Sequence, residues 1–385
     1  MKIAILTQPL SNNYGGILQA YALQTVLKSM GHEPILLNRN LNYPPIAVII
    51  ARTLSACKCI VRKYILKDKN INVASPFGEY YFIDKTLAHD DSELRYFVHL
   101  NISQTKSIRS SWLLRIYTRV QHFDCFIVGS DQVWREDYSP CITDYFLGFL
   151  SRYNKVRRIA YAASFGVEHN PISSEKLELC TELAQRFDAI SVREQSGKQL
   201  VRDLFHEEAN LVLDPTLLLN VEHYRSLINK KDIRNSGVVN YVLDDSGDKE
   251  KIINVVLNRL NLSCTELCLF PTKGKNKEHK LASVSQWLAA FSGADFIVTD
   301  SFHGCVFSII FEKPFVAIGN SERGISRFQT LLGSLGLENR LVLSLDDFML
   351  RKEALLMTKP DFATAVLKSE VLVKDSLNFL RNALK

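Results

Sequence analysis

The chain has 385 residues, too many for one simple core and suited to two domains, with 46% apolar and 23% charged residues as in soluble globular enzymes. A net charge of +6 favours anionic substrates or a lipid surface and gives no ground for a nucleic-acid partner. The eight cysteines exclude a zinc-finger pattern: Cys57/Cys59 and Cys264/Cys268 are the close pairs, neither has histidines at ligand spacing, and no metal site is expected.

Residues 2–7 read as a first parallel strand with no basic-then-apolar export signal ahead of it. No apolar run approaches the roughly 20 residues that a spanning helix needs, so a cytoplasmic protein with reduced thiols is expected. A polar loop over residues 8–16 follows, then a helix over 17–30 stopped by Gly31 and a strand over 34–38, which together make a βαβ unit. The loop lacks the G-x-G-x-x-G dinucleotide fingerprint. Gly15 and Gly16 would let a ligand approach the backbone, or would serve only a tight turn.

Residues 44–120 form an irregular insertion. Within it, residues 46–66 place apolar side chains at helical spacing among Arg52, Lys58, Arg62, Lys63 and Lys67, and residues 106–119 repeat the flavour. A basic amphipathic helix of this kind packs on its own protein or lies on an anionic membrane surface.

Regularity returns with buried strands predicted at residues 126–128, from 158 and from 187, a helix over 196–205, and residues 211–215 closing the series. Polar groups recur at the strand ends: Asn13, Asp131, Ser164, Arg193 and Asp214. They are expected to line one rim of a parallel sheet, where open α/β sheets bind ligands. Asp214-Pro215 itself reads as a chain turn, more structural than catalytic. A boundary over residues 220–235 divides an N-terminal domain (1–225) from a second α/β unit (236–345), and a helical tail (346–385) is expected to return to the first domain. The second unit has predicted strands at 237–243, 264–270 and 314–318, helices at 249–260 and 283–291, and a lysine-rich loop at 272–280.

Within that unit, residues 296–310 read as a short buried strand, a polar turn and a helix opening near Phe302. The turn sets Asp300, Ser301 and His303 at a strand's carboxyl end and a helix's amino end, where free N–H groups favour an anion. His303 can move protons near neutral pH, whereas Asp300 can equally be the helix N-cap. Arg193 is read either as a ligand contact or as a salt bridge with Glu194 or a domain partner. Arg323 and Arg327 bracket Gly324 ahead of a helix and can reach an anion in a cleft.

These stretches resemble the polysaccharide pyruvyl transferase family. The resemblance rests on Asn13-Tyr-Gly-Gly-Ile-Leu-Gln-Ala-Tyr-Ala-Leu23, Val128-Gly-Ser-Asp-Gln-Val-Trp134, Ser191-Val-Arg-Glu194, Leu213-Asp-Pro215 and Thr299-Asp-Ser-Phe-His-Gly304, in that order along residues 1 to about 340. It implies an α/β fold of two Rossmann-like domains facing a cleft (GT-B-like), acceptor on the N-terminal side and donor on the C-terminal side. It also implies transfer of an enolpyruvyl-derived group from phosphoenolpyruvate to a sugar as a cyclic ketal. His303 matches the family's catalytic histidine, Arg193 an arginine that holds the donor, and Asp131 a position where an acidic residue is expected. Ser301 departs from the pattern, because the family carries arginine two places before the histidine. Arg323, Arg327 or a lysine must then supply the missing cation.

The expected catalytic residues are therefore His303 and Asp131. The expected substrate contacts are Arg193, Ser301, Asp300, Arg323, Arg327, Asn13, Gly15, Gly16 and Ser164. The expected partners are phosphoenolpyruvate, as donor and not cofactor, and a sugar acceptor on a lipid carrier, with the basic segment touching the inner membrane face. Two other readings share the architecture: a glycosyltransferase using a nucleotide sugar, and a non-catalytic partner in polysaccharide biosynthesis.

Overall fold

The computed structural model describes residues 1–42, 46–67, 90–150, 155–244, 246–267, 281–319 and 324–385, without the side chains of 46–48. Arg323 and the lysine-rich stretch 272–280 therefore lie outside the described residues.

The first domain is built from β1 (Lys2–Leu6), α1 (Tyr14–Ser29), β2 (Glu33–Leu36), α2 (Ile46–Ile60), α3 (Ser92–Asn101), α4 (Ser111–Gln121), β3 (Cys125–Val128), β4 (Arg157–Ala163), α5 (Ser174–Ala184), β5 (Ala189–Val192), α6 (Gln195–Phe205), β6 (Asn210–Leu211) and α7 (Val221–Ser226). Its strands form one parallel sheet in the order β2-β1-β3-β4-β5-β6. β1 and β3 are continuous apolar runs because helices cover both faces, so inward and outward positions both lose water. Ile5 sits in register with Leu36 on one side and Ile127 on the other.

The second domain follows with β7 (Gly237–Tyr241), α8 (Gly247–Leu260), β8 (Cys264–Glu266), α9 (Val284–Ser292), β9 (Ala294–Thr299), α10 (Phe302–Ile310), β10 (Phe315–Ile318), α11 (Ser326–Leu335), β11 (Leu341–Val342), α12 (Leu345–Met357) and α13 (Phe362–Ala383). Its parallel sheet runs β11-β10-β9-β7-β8. The fold is thus the expected pair of parallel-sheet α/β domains. α13 returns to the first domain, where Ser376 Oγ accepts from the Leu213 N–H at 2.9 Å and Phe379 lies beside Tyr161.

The domains meet through an apolar seam. The Tyr14 ring, in the first turn of α1, stacks on Trp287 of α9 with centroids 5.3 Å apart, and its hydroxyl donates to the Ala282 carbonyl at 2.7 Å. Tyr224 meets Phe307 edge-on. Gly324, at φ 78°, is placed so that a Cβ would stand 2.4 Å from the Gly166 carbonyl oxygen of the first domain, which only glycine permits.

Two differences from the sequence reading are physical. The insertion contains regular helices: α3, whose few buried positions (Leu94 and Val98) left little periodic signal, and α4, which falls within the basic stretch 106–119 and buries Leu114 and Thr118. Helix α1 begins at Tyr14 rather than residue 17, because Asn13 caps it by accepting the Gly16 N–H, so both glycines belong to its first turn. Among the described residues, no helix is long and apolar enough to cross a membrane.

Candidate active site

In each sheet the chain reverses its direction of growth at one pair of strands: β1 and β3 in the first, β7 and β9 in the second. A crevice opens beyond the carboxyl ends at such a switch point. Here the two crevices face each other and enclose a cleft of about 330 Å³. Gln8, Ser11 and Asn13 follow β1, Asp131, Gln132 and Tyr138 follow β3, Leu243 follows β7, and Asp300, Ser301, Phe302 and His303 follow β9. Arg327, at the start of α11, completes the lining.

His303 crosses from the second domain into the first. A Cβ at Gly15 would stand 2.0 Å from His303 Nδ1, so the imidazole occupies the space that a side chain there would need. Its Nε2 lies 3.7 Å from Asp214 Oδ2, an ionic contact rather than a hydrogen bond, and has no hydrogen-bond partner among the described residues. Asp214 sits at the loop after β6. Its Oδ2 accepts from Arg193 Nη1 at 2.7 Å and Ser130 Oγ at 3.0 Å, and its Oδ1 from the N–H and hydroxyl of Thr216. Burial pushes this carboxyl up, but His303 and Arg193 beside it outweigh that and hold it far below the usual carboxylate range.

Arg193 lies behind this contact, its side chain 1% exposed. It also reaches Asp131 Oδ1 at 3.2 Å and Glu194 Oε2 at 3.8 Å. Burial acts to lower its pKa, and the three carboxylates overcome that and raise it. The guanidiniums of Arg193 and Arg327 lie 4.8 and 5.7 Å from the Phe302 ring centroid. Burial, with repulsion from Arg193, pushes Arg327 down to about 10, so it stays cationic at neutral pH.

The structure brings Asn13, Asp131, Asp300, Ser301, His303 and Arg327 to one cleft. Other expected contacts are placed differently. Arg193 is a buried clamp on three carboxylates beneath the cleft, with Phe302 of α10 over its guanidinium and Thr330 of α11 bonded to Gln195 just past its strand end. Ser164 is fully buried and donates to Glu194 Oε1 at 2.8 Å, so it does not stand on the rim. Gly15 has His303 against it in place of open space for a ligand, and Gly16 faces Asn13 and Asp131 Oδ2.

Asp300 is not the helix cap. Its carboxylate accepts the N–H groups of Leu243 and Asp244 and pairs with Lys249 at 2.7 Å, tying the loop after β7 to the loop after β9. Ser301 is the cap, its hydroxyl accepting the Gly304 N–H. By sequence alone Asp214 is a turn residue. It does cap the turn after β6, and it also faces His303, which only the folded chain reveals. Gln132 stands in the Val128–Trp134 stretch without a role of its own in the sequence reading, whereas Gln8 and Tyr138 are lone polar residues in loops that offer no pattern to find them.

A sequence profile of the family described as polysaccharide pyruvyl transferase matches residues 13–322. No match is found among curated proteins. Among solved structures, a candidate UDP-N-acetylglucosamine 2-epimerase from Listeria monocytogenes superposes with a TM-score of 0.51 at 8% identity, covering 94% of this chain and 90% of its own. The UDP-GlcNAc 2-epimerase of Methanocaldococcus jannaschii, bound to UDP-GlcNAc and UDP, gives a TM-score of 0.49 at 11% identity, covering 97% of this chain and all 100% of its own. The first of these likenesses agrees with the two-sheet GT-B architecture and says nothing of substrate. The profile spans both sheets and both sides of the cleft, from Asn13 at the head of α1 to beyond His303, and on that match the chain belongs to the polysaccharide pyruvyl transferase family of transferases.

Proposed function

We propose that the protein moves the enolpyruvyl-derived group of phosphoenolpyruvate onto two hydroxyls of one sugar as a cyclic ketal. The supporting observation is the position of His303, seated against Gly15 and facing ionised Asp214, in a cleft that also holds Arg327. A proton is added to the donor's methylene carbon while the first hydroxyl oxygen bonds to the neighbouring carbon. The second hydroxyl oxygen then bonds to that same carbon, its C–O bond to phosphate breaks, and inorganic phosphate leaves. Two hydroxyl protons are released; one balances the proton gained by the methylene carbon and the other leaves with phosphate or solvent.

His303 passes these protons, a role typically worth about 10²–10⁴-fold in rate. Asp214 holds the ring and offsets the charge it acquires on taking a proton. Asp131, whose Oδ1 is fixed by Arg193 and the Gln132 N–H, orients the attacking hydroxyl. Arg327 and the first-turn N–H groups of α10 hold the donor's phosphate and carboxylate, replacing the cation missing at Ser301. The neutral polar wall of Gln8, Ser11, Asn13 and Gln132 with the Tyr138 ring suits a sugar better than an anion. The acceptor is a sugar of a surface-polysaccharide precursor, carried on a lipid at the inner membrane face.

The test is incubation with phosphoenolpyruvate and galactose-, mannose- or glucose-containing lipid-linked acceptors, reading phosphate release and a pyruvyl gain in mass. Donor-dependent ketal that disappears in His303→Ala is the expected result. Turnover of a nucleotide sugar with no response to phosphoenolpyruvate would replace this reading with a glycosyltransferase.

A further inference from the structure

Two helices of the first domain turn their apolar sides away from their own protein. In α2 and the π-helical turn that extends it (Val61–Ile65), the half-buried positions are Ile49, Arg52, Ala56, Cys59 and Lys63. The opposite stripe, at i, i+4, i+11 and i+15, is Ile50, Leu54, Val61 and Ile65, and it faces solvent, with Leu54 61% and Ile65 71% exposed. Helix α4 repeats the inversion. Leu114 and Thr118 face the core, while Trp112 and Val120, 67% and 66% exposed, stand outward with Leu113 and Ile116.

The charge beside these stripes has one sign. Residues 46–67 and 103–121 contain nine lysines and arginines and no aspartate or glutamate, so the remainder of the chain carries a net −3. The chain ahead of α2 and the start of α4 meet at one corner of the domain. Arg39 and Ser111 share Asp144 Oδ2 at 2.7 and 2.9 Å, and Arg39 pairs with Ile108 as an isolated bridge. That corner adjoins the active cleft, since Asn38, Asn40 and Leu41 line a groove that shares Pro9 and Ser11 with it.

We propose that α2 with its π-helical turn, and α4, form a docking surface for an anionic lipid bilayer, the apolar stripes entering the headgroup boundary and the basic flanks meeting the lipid phosphates. A soluble protein partner would need no such uniform charge, and an outward apolar stripe flanked only by cations is the pattern of an interfacial helix. The proposal rests on the lipid-linked acceptor reading for its biological sense, but its test needs no turnover.

The full chain is mixed with vesicles of phosphatidylcholine alone, or with about one part in three phosphatidylglycerol. Co-sedimentation with the anionic vesicles, weakened by salt, is expected. Trp134 and Trp287 are fully buried, so quenching by brominated acyl chains reports Trp112 and should vanish in Trp112→Phe. Leu54→Glu with Ile65→Glu, and separately Ile116→Glu with Val120→Glu, should each lower vesicle binding about tenfold or more while leaving turnover of a soluble acceptor unchanged. Vesicle binding with no ketal formed would sink the activity reading and leave the docking surface standing. Absence of binding to anionic vesicles, or wild-type binding by both variants, would overturn the docking surface. So would a concentration-dependent dimer, seen by sedimentation velocity, that the same substitutions dissolve.

Discussion

His303 Nε2, carried by the second domain, lies 3.7 Å from Asp214 Oδ2, carried by the first. Neither residue faces the other unless the domains are closed on the seam of Tyr14 and Trp287. The pair couples the chemistry to domain docking.

That coupling has a steric side at Gly15. In Gly15→Ala the new methyl would overlap the imidazole, 2.0 Å from Nδ1, and His303 must leave its place beside Asp214. Turnover should fall about a hundredfold or more, in line with loss of a positioned acid–base group, while the circular dichroism spectrum stays native. Single-turnover phosphate release measures the effect.

Asp214→Asn keeps the shape and an acceptor for Thr216 but removes the charge that Arg193 and His303 face. Breaking a buried pair from one side leaves an uncompensated ion and typically costs about 3–5 kcal/mol. Urea unfolding should show a loss of that order, with turnover falling as well. Wild-type stability in the variant would mean that Arg193 is held well enough by Asp131 and Glu194.

The same carboxylate sets an acid limit. Its folded pKa is held below the unfolded value, so the native state binds fewer protons there. Its contribution is complete above about pH 4, the ordinary aspartate pKa, and is lost as pH falls through the folded value. Stability attributable to Asp214 should thus be flat from neutral pH to about 4 and decline only below that. Comparison of melting temperatures of wild type and Asp214→Asn along a pH series checks this; convergence of the two already near pH 6 would contradict it.

Arg327→Gln should weaken binding of inorganic phosphate and of phosphoenolpyruvate by about ten- to a hundredfold, the range of a charge-assisted contact, and Arg327→Lys should restore part of it. Titration calorimetry reads both. Because burial and Arg193 push this guanidinium down to about 10, its charge costs the empty protein stability below that pH, a cost that fades as pH rises.

The order of elements could be read from the chain because the parallel strands are short apolar runs bounded by polar turns, and such runs announce themselves locally. The strand before Phe302, the helix after it and the helix α13 all belong to that local pattern. So did the clustering of polar groups at strand ends, which placed Asp131, Ser301 and His303 at the mouth of one cleft. Uniform charge in residues 46–67 was equally visible, since it is composition alone. Which side of that helix faces water was not, because periodicity gives the width of an apolar stripe and not its direction.

Roles within the cleft depended on contacts between residues far apart in sequence. Arg193 and Ser164 occupy strand ends like Asp131, yet Arg193 is held by three carboxylates under the Phe302 ring and Ser164 is bonded to Glu194, so both act as supports. Asp214 looked like a turn because its cap of Thr216 is local, whereas its contact with His303 spans both domains. Sequence fixes what each residue can donate, accept or carry as charge. Only the closing of one sheet upon the other decides which of those groups meet, since burial and distance set how strongly a charge is felt.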